Sequence, residues 1–341
     1  MRVRHRARTV LCGAVVCSVS SAPEVRSVIL LAGMGRSGTS ALSRVLSYCG
    51  GALPRRLLPA NFANPTGYWE PRRALELNDR FLYLNGSSWD DARLTLQLRG
   101  PETDFGRAYV AAIADFLRHG FERGGPVVLK DPRITSLLPH WITAANEIGW
   151  PVKVVHVVRK PADVASSLAA RDGFSAELAF ALWLKANLLA EINTRRLWRT
   201  VVSYEELMRD GRGTAERCIA DLDLPLAVSG RAAAAIGDFL TPELQHHRNV
   251  DIPQQIMDPM LWELVDRVYG LLLNREDGAE RAAELDAVLA QCVASQPREA
   301  PFKKMLEPGT LAPRAGAVSS RARNARPAAP RARFGTGPTP L

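Results

Sequence analysis

An apolar strand, a glycine-rich turn and a helix follow one another directly near the start of the patterned sequence. Residues 27–32 are almost continuously apolar, residues 33–40 are Gly-Met-Gly-Arg-Ser-Gly-Thr-Ser, and residues 39–48 place apolar side chains at helical spacing. A continuous apolar run is typical of a strand buried on both faces of a parallel sheet. Backbone amides of such a turn and of the helix that follows it can surround an anion. The segment therefore predicts a phosphate-binding turn at the edge of a parallel sheet.

Strands and helices continue to alternate along the chain. Further strands are predicted at residues 127–129, 152–158 and 200–203. Helices are predicted at residues 71–84, 104–121, from the second strand to about 148, 163–171, 177–195, 214–222, 229–240, 258–273 and 279–295. Strands separated by helices indicate a parallel sheet covered on both faces. We expect an α/β fold with a P-loop-like parallel sheet of about four to five strands and a helical C-terminal part.

The two ends of the chain differ from its centre. Residues 1–26 are predicted to be a disordered leader, although their arginines and weak apolar run also resemble a signal segment or an upstream start. Residues 27–300 are predicted to form the folded domain, and the Pro-, Ala- and Arg-rich residues 301–341 a disordered tail. The net charge is +9, and the positive excess lies in the two ends of the chain. Because a nucleic-acid-binding domain carries its basic patch on the folded body, we expect no nucleic-acid partner. Without a membrane-spanning run, and with five cysteines that lack disulfide or zinc spacing, the sequence predicts a cytoplasmic protein.

The turn resembles the ATP-binding pattern G-x-x-x-x-G-K-[ST] but differs at one informative position. Gly33, Gly38 and Ser40 fit the pattern, whereas Thr39 stands at the lysine position. That lysine contacts the β- and γ-phosphates in nucleotide hydrolases. A cation is present instead at Arg36. The turn is therefore predicted to bind phosphate without the usual triphosphate contact, and no metal site is predicted.

Two segments resemble one known family. Arg36-Ser37-Gly38-Thr39 is similar to the 5′-phosphosulfate loop of sulfotransferases that use 3′-phosphoadenosine 5′-phosphosulfate (PAPS), in which Lys or Arg precedes Ser-Gly-Thr. Arg159, followed by Asp163 and by Ser167, resembles the 3′-phosphate site of that family, an arginine at a strand end with a serine eight residues on. Asp163 is expected to cap a helix whose second turn holds Ser167, so that the two side chains face one anion.

Shorter segments agree with this resemblance. The Tyr204 segment is similar to one whose tyrosine lies near the adenine, and residues 67–70 and 130–133 resemble bacterial members of the superfamily. Matched segments run in the family's order from about residue 28 to 207. The resemblance implies these PAPS-binding residues: Gly35, Arg36, Ser37, Gly38, Thr39, Ser40, Arg159, Ser167 and Tyr204.

The chain also departs from the cytosolic animal enzymes of the family. Lys130 is followed by Asp131 rather than by the Thr-His of their catalytic segment. Their C-terminal Arg-Lys-Gly motif has only a weak counterpart at Arg248, beside which His246 and His247 are minor candidates for nucleotide contact. The catalytic base is therefore sought elsewhere.

The resemblance implies transfer of the sulfuryl group from PAPS to an acceptor hydroxyl on a carbohydrate, a glycolipid or a small metabolite. Arg36 is expected on the 5′-phosphate and the leaving oxygen. Lys130, at the end of the second strand where ligands collect in such sheets, is expected on the sulfuryl oxygens. Glu70 is the candidate general base, because relatives place a glutamate shortly after the phosphate loop and its helix. Each of these two assignments has a structural alternative. Lys130 would then be a surface lysine at a strand end, and Glu70 a glutamate at a helix N-terminus, where the helix dipole favours negative charge.

Two other functions remain open from the sequence. A P-loop nucleotide kinase or NTPase would share the fold and would bind ATP with Mg²⁺. A non-catalytic nucleotide-binding relative would keep Arg159 and Ser167 without turnover. His156 and His140 are predicted to be buried structural residues, and the loops at 51–69 and 86–103 are predicted to line the acceptor pocket.

Overall fold

A four-stranded parallel sheet forms the centre of the protein. The computed structural model describes residues 26–61, 64, 66–94, 100–122, 124–241, 258–274 and 278–295. The strands are β1 Val28–Ala32, β2 Val127–Leu129, β3 Val152–Val158 and β4 Trp198–Ser203. Their order is β2-β1-β3-β4, and each neighbouring pair is parallel. This confirms the predicted α/β fold, with four strands in the described part of the chain.

Twelve helices surround the sheet within the described residues. They are α1 Thr39–Tyr48, α2 Arg72–Leu84, α3 Asp104–His119, α4 Pro132–Ser136, α5 Leu138–Glu147, α6 Pro161–Asp172, α7 Ala176–Thr194, α8 Tyr204–Arg209, α9 Gly211–Asp221, α10 Gly230–Phe239, α11 Pro259–Leu273 and α12 Ala279–Ser295. After β4, every regular element in the described ranges is a helix, as the sequence predicts. None of the described helices is both long enough and apolar enough to cross a membrane.

The sheet is covered on both faces because its strands alternate their side chains between two apolar cores. Val28 and Leu30 of β1 pack in a core with α2, α3 and α5. Ile29 and Leu31 pack on the opposite face with α1, α9 and α10. Successive side chains of a strand point to opposite faces, so a fully apolar β1 requires apolar neighbours on both. A third core joins α6, α7, α11 and α12.

Two helix predictions need correction. The helix after β3 begins at Pro161, since proline suits the first helical position, and Lys160 is its N-cap without a side-chain cap bond. Asp163 therefore lies inside the first turn, and the expectation that it caps the helix is wrong. The helix predicted from β2 to about residue 148 is divided into α4 and α5 at Leu137. The predicted leader, apart from Arg26, and the predicted tail lie outside the described residues.

Candidate functional site

Two glycines of the turn between β1 and α1, Gly33 and Gly38, are required by its close packing. Gly33 has a φ of 130°, and a Cβ atom there would lie 2.2 Å from the carbonyl oxygen of Val157. Gly38 has a φ of 91°, and a Cβ atom there would lie 2.6 Å from a ring carbon of Tyr204. Both conditions exclude side chains. The backbone of the turn is thus held tightly against β3 and the start of α8.

The start of α1 has no side-chain cap. Gly38 is the N-cap of this helix and has no side chain to bond its first amides, and no acidic residue occupies the first turn. The hydroxyl of Ser37 is buried and has no partner among the described residues. The backbone amide of Gly33, in contrast, donates to Thr135 Oγ1 at 3.0 Å, which fixes the turn to α4. Exposed amides at a positive helix end attract anions.

The two predicted phosphate motifs meet in space. Nε of Arg36 donates to Ser167 Oγ at 2.8 Å across 131 residues of sequence. Nη1 of Arg159 donates to the carbonyl oxygen of Arg36 at 3.0 Å. Arg36 itself has a φ of 72°, a conformation that non-glycine residues adopt rarely. The residues predicted for the 5′- and 3′-phosphates therefore form one connected cluster.

Positive charge is concentrated in this cluster. Burial lowers the pKa of Arg36 from its usual value, and repulsion from Arg171 and Arg159 lowers it further, while Tyr68 and Asp172 act in the opposite direction. A bound anion would relieve this repulsion. Arg171 was not predicted. It lies four residues after Ser167 on α6, a spacing that places both on one face of the helix and is the only sequence signal for it.

Tyr204 lies between the turn and Arg159. Its ring contacts Gly38, and the guanidinium carbon of Arg159 lies 4.1 Å from the ring centroid. Arg159 is buried and also lies 3.8 Å from Asp163, measured from Nη2 to Oδ2. The Tyr204 ring thus contacts both the turn and Arg159.

The two residues predicted for the transfer step are also in contact. Nζ of Lys130 donates to Oε1 of Glu70, and the two side chains are only 5% and 7% exposed. Lys130 directly follows β2, and Glu70 comes two residues before α2. Because β2 lies beside β1, Lys130 is at the same carboxyl edge of the sheet as the glycine-rich turn. The sequence predicts both residues for the site but not their ion pair.

Asp131 has a structural role. Its carboxylate accepts from the backbone amide of Arg133 at 3.0 Å, from Nη1 of that arginine at 3.0 Å and from Asn78 Nδ2 at 2.8 Å. It is fully buried and caps α4. These contacts engage both carboxylate oxygens and fix Asp131 between α2 and α4.

The histidines in the described chain near the sheet are structural, as predicted. His156 lies within β3, its Nε2 is 2.9 Å from Asn187 Oδ1, and burial lowers its pKa to about 4. His140 packs against the rings of Phe81 and Tyr109. His246, His247 and Arg248 lie outside the described residues. No group of acidic, histidine and cysteine side chains suited to a metal is found in the described ranges.

The segment 86–94 lies beside the cationic cluster. Its Trp89 stacks on Phe174 with 5.5 Å between ring centroids, and the guanidinium carbon of Arg171 lies 5.6 Å from the Trp89 ring. The segment is held by Asp91, whose carbonyl oxygen accepts from the buried Lys185. Burial lowers the pKa of Lys185 to about 8.

Comparison with known proteins gives distant structural similarity only. No protein-family model and no curated protein matches the chain. The sulfotransferase domain from the Synechococcus PCC 7002 olefin synthase is 20% identical, with a TM-score of 0.39 over 78% of this chain and 94% of that one. The sulfotransferase domain from the curacin biosynthetic pathway is 16% identical, with a TM-score of 0.42 over 73% and 98%. At these values the assignment of a function depends on the site itself.

Proposed function

We propose that this chain is a PAPS-dependent sulfotransferase that transfers the sulfuryl group to an acceptor hydroxyl. The observation that supports this most strongly is the contact among Arg36, Ser167 and Arg159. These residues belong to two motifs that resemble the 5′- and 3′-phosphate sites of one nucleotide. A single ligand with two phosphate groups accounts for three polar side chains that meet from such distant parts of the chain.

The binding roles follow from charge and hydrogen-bonding capacity. The amides at the start of α1 and the unpaired hydroxyl of Ser37 would hold the 5′-phosphate, with the guanidinium of Arg36 beside them. Arg159 and Ser167 would hold the 3′-phosphate. Guanidinium groups bind phosphate through charge-assisted hydrogen bonds. Since cations already surround the site, the proposed transfer requires no metal ion.

The transfer itself is an in-line displacement at sulfur. The acceptor oxygen forms a bond to sulfur while the bond from sulfur to the 5′-phosphate oxygen breaks, and the electron pair leaves on that phosphate. Arg36 and the α1 amides would stabilise the leaving charge. Glu70 would accept the proton of the acceptor hydroxyl. Lys130, in contact with Glu70, would orient this carboxylate and face the sulfuryl oxygens.

The proposal identifies the acceptor by its chemical class, a hydroxyl of a carbohydrate, a glycolipid or a small metabolite. The position of Trp89 beside Arg171 and Phe174 supports the proposal that segment 86–94 forms one wall of the acceptor pocket. The loop at 51–69 is the proposed opposite wall, since the carbonyl oxygen of its Tyr68 accepts from Ser40 Oγ at the start of α1. A cytoplasmic location is proposed with this function.

The test compares nucleotides and then measures transfer. We expect 3′,5′-bisphosphoadenosine (PAP), the product nucleotide, to bind far more tightly than 5′-AMP in calorimetry, because 5′-AMP lacks the 3′-phosphate that Arg159 and Ser167 would bind. Labelled sulfate should move from PAPS to members of an acceptor panel and should continue to do so in EDTA. Equal affinity for PAP and AMP would contradict the proposal. Mg²⁺-dependent stabilisation by ATP would favour a kinase, and tight PAP binding without any transfer would indicate a non-catalytic relative.

A further inference from the structure

Arg44 of α1 lies between two aromatic rings. Its guanidinium carbon is 4.3 Å from the ring centroid of Tyr48 and 4.5 Å from that of Trp69. Tyr48 belongs to the same helix, whereas Trp69 belongs to the segment that precedes α2. A planar guanidinium stacks well on aromatic faces and is attracted to their electrons. The stack therefore attaches the Trp69 segment to the helix that begins at the anion-binding turn.

Trp69 holds a backbone conformation that a bulky residue avoids. Its φ is 56°, in the left-handed region where a side chain crowds the neighbouring carbonyl group. Strain of this kind persists only where the surrounding contacts maintain it, and such residues cluster at functional sites. The indole contacts Arg44 on its face and packs close to Gly67. Both contacts restrain the Trp69 side chain.

The residue that follows Trp69 is Glu70. A left-handed residue redirects the chain, so the conformation of Trp69 decides where the Glu70 side chain points. The segment is also fixed at its flanks, since Ser40 Oγ donates to the carbonyl oxygen of Tyr68 at 3.1 Å and the amide of Leu58 donates to that of Glu70 at 2.8 Å. In this arrangement the Glu70 carboxylate contacts Lys130.

We infer that Arg44 is a positioning residue: by stacking on Trp69 it maintains the left-handed turn that directs Glu70 toward Lys130. The inference rests on the proposed role of Glu70. Arg44 takes no part in the chemistry and acts only through Trp69. Because α1 also begins at the anion-binding turn, one helix would align the nucleotide and the proposed base with each other.

The first test combines Arg44→Met with Glu70→Gln. Arg44→Met keeps the length of the side chain and removes its charge and planarity. We expect it to lower kcat about 10- to 100-fold, the scale of a small misplacement of a reacting group, with PAP affinity unchanged. Arg44→Lys should restore part of the rate. In the Glu70→Gln background, Arg44→Met should cause no further loss, because the group that it positions is gone. Arg73→Met, at an exposed arginine of α2 paired with Glu76, is the matched control.

The second test separates the backbone conformation from the ring. Trp69→Gly and Trp69→Ala both remove the stack, but only glycine adopts a positive φ without strain. We expect Trp69→Gly to turn over several-fold faster than Trp69→Ala. Arg44→Met should have no added effect in either background. Equal rates for the two Trp69 variants would contradict the proposed role of the left-handed turn.

A third measurement does not depend on activity. A double-mutant cycle in urea unfolding gives the coupling free energy between Glu70→Gln and Lys130→Met. We expect this coupling to fall by about half or more in the Arg44→Met background, because Glu70 and Lys130 are then no longer held in contact. Unchanged coupling overturns the inference, as do wild-type turnover in Arg44→Met and rate losses that multiply with Glu70→Gln. If wild-type protein transfers no sulfate, the proposed function fails, and the coupling measurement still decides the role of Arg44.

Discussion

Replacing Lys130 with methionine tests the buried ion pair at the candidate site. The variant removes the ammonium group and leaves the carboxylate of Glu70, whose side chain is only 7% exposed, without this partner. Breaking a buried ion pair on one side costs about 3–5 kcal/mol, because an uncompensated charge stays away from water. Glu70→Gln keeps a carbonyl oxygen that can accept from Lys130, so we expect a smaller loss of about 1–3 kcal/mol.

The double variant Glu70→Leu with Lys130→Met gives the sharper result. Replacing both partners by apolar side chains of similar size is often neutral for stability. We therefore expect the double variant to be more stable than Lys130→Met alone. Urea unfolding followed by circular dichroism measures the three free energies of unfolding.

The same variants report on chemistry. Glu70→Gln should reduce turnover by about 10²–10⁴, typical of the loss of a general base, while PAP affinity remains near that of the wild type. If Lys130→Met lowers the free energy of unfolding by less than about 1 kcal/mol, the argument from a buried ion pair is refuted, because an exposed ion pair contributes that much. Near-normal turnover in Glu70→Gln would refute its role as the base.

Three further outcomes are expected. Arg159→Ala should lose about 2–5 kcal/mol of the preference for PAP over 5′-AMP in calorimetry, and an unchanged preference would remove this arginine from the 3′-phosphate site. Gly38→Ala should weaken PAP binding at least about tenfold, because its Cβ atom would meet the Tyr204 ring at 2.6 Å in a strained conformation; Gly230→Ala, with open space around it, is the control. Since the pKa of His156 is lowered from 6.5 to about 4, the folded state takes up this proton less readily than the unfolded chain, and stability is lost as the pH falls from 6.5 to 4. Between pH 6.5 and 4, the free energy of unfolding of His156→Gln should therefore fall by about 3 kcal/mol less than that of the wild type. Identical pH profiles of the two proteins in urea unfolding would contradict the assignment of His156 as a buried neutral imidazole.

Local sequence patterns were sufficient for much of the fold. The apolar runs at β1 and β3 and the glycine turn at Gly33 and Gly38 are visible without any knowledge of tertiary contacts, because a buried strand must be apolar on both faces. The break at Leu137 between α4 and α5 was missed. The apolar periodicity continues across it, although Pro139 in the first turn of α5 is a local signal for the start of a new helix.

The contacts within the site were harder to predict. Arg36 and Ser167 were each assigned to a phosphate by resemblance, but their hydrogen bond depends on β1 and β3 being neighbours, and strand order is not written in local pattern. The ion pair of Glu70 and Lys130 likewise joins distant parts of the chain, and local sequence patterns do not show it. Positive φ at Trp69 has no signal in composition, since tryptophan is a poor residue for that conformation.

Strand order also places the proposed binding and transfer roles on different sides of the site. β1 lies between β2 and β3, so the turn that contains Arg36 is flanked by Lys130 on one side and Arg159 on the other. Neighbouring strands are about 4.8 Å apart, which places the ends of β2 and β3 about 10 Å from each other. A nucleotide held at the β3 side would then direct its 5′ end past Arg36 toward the side where Lys130 meets Glu70. Changes beside β3 should therefore act on nucleotide affinity and changes beside β2 on rate, whereas Arg36, in the middle, should affect both.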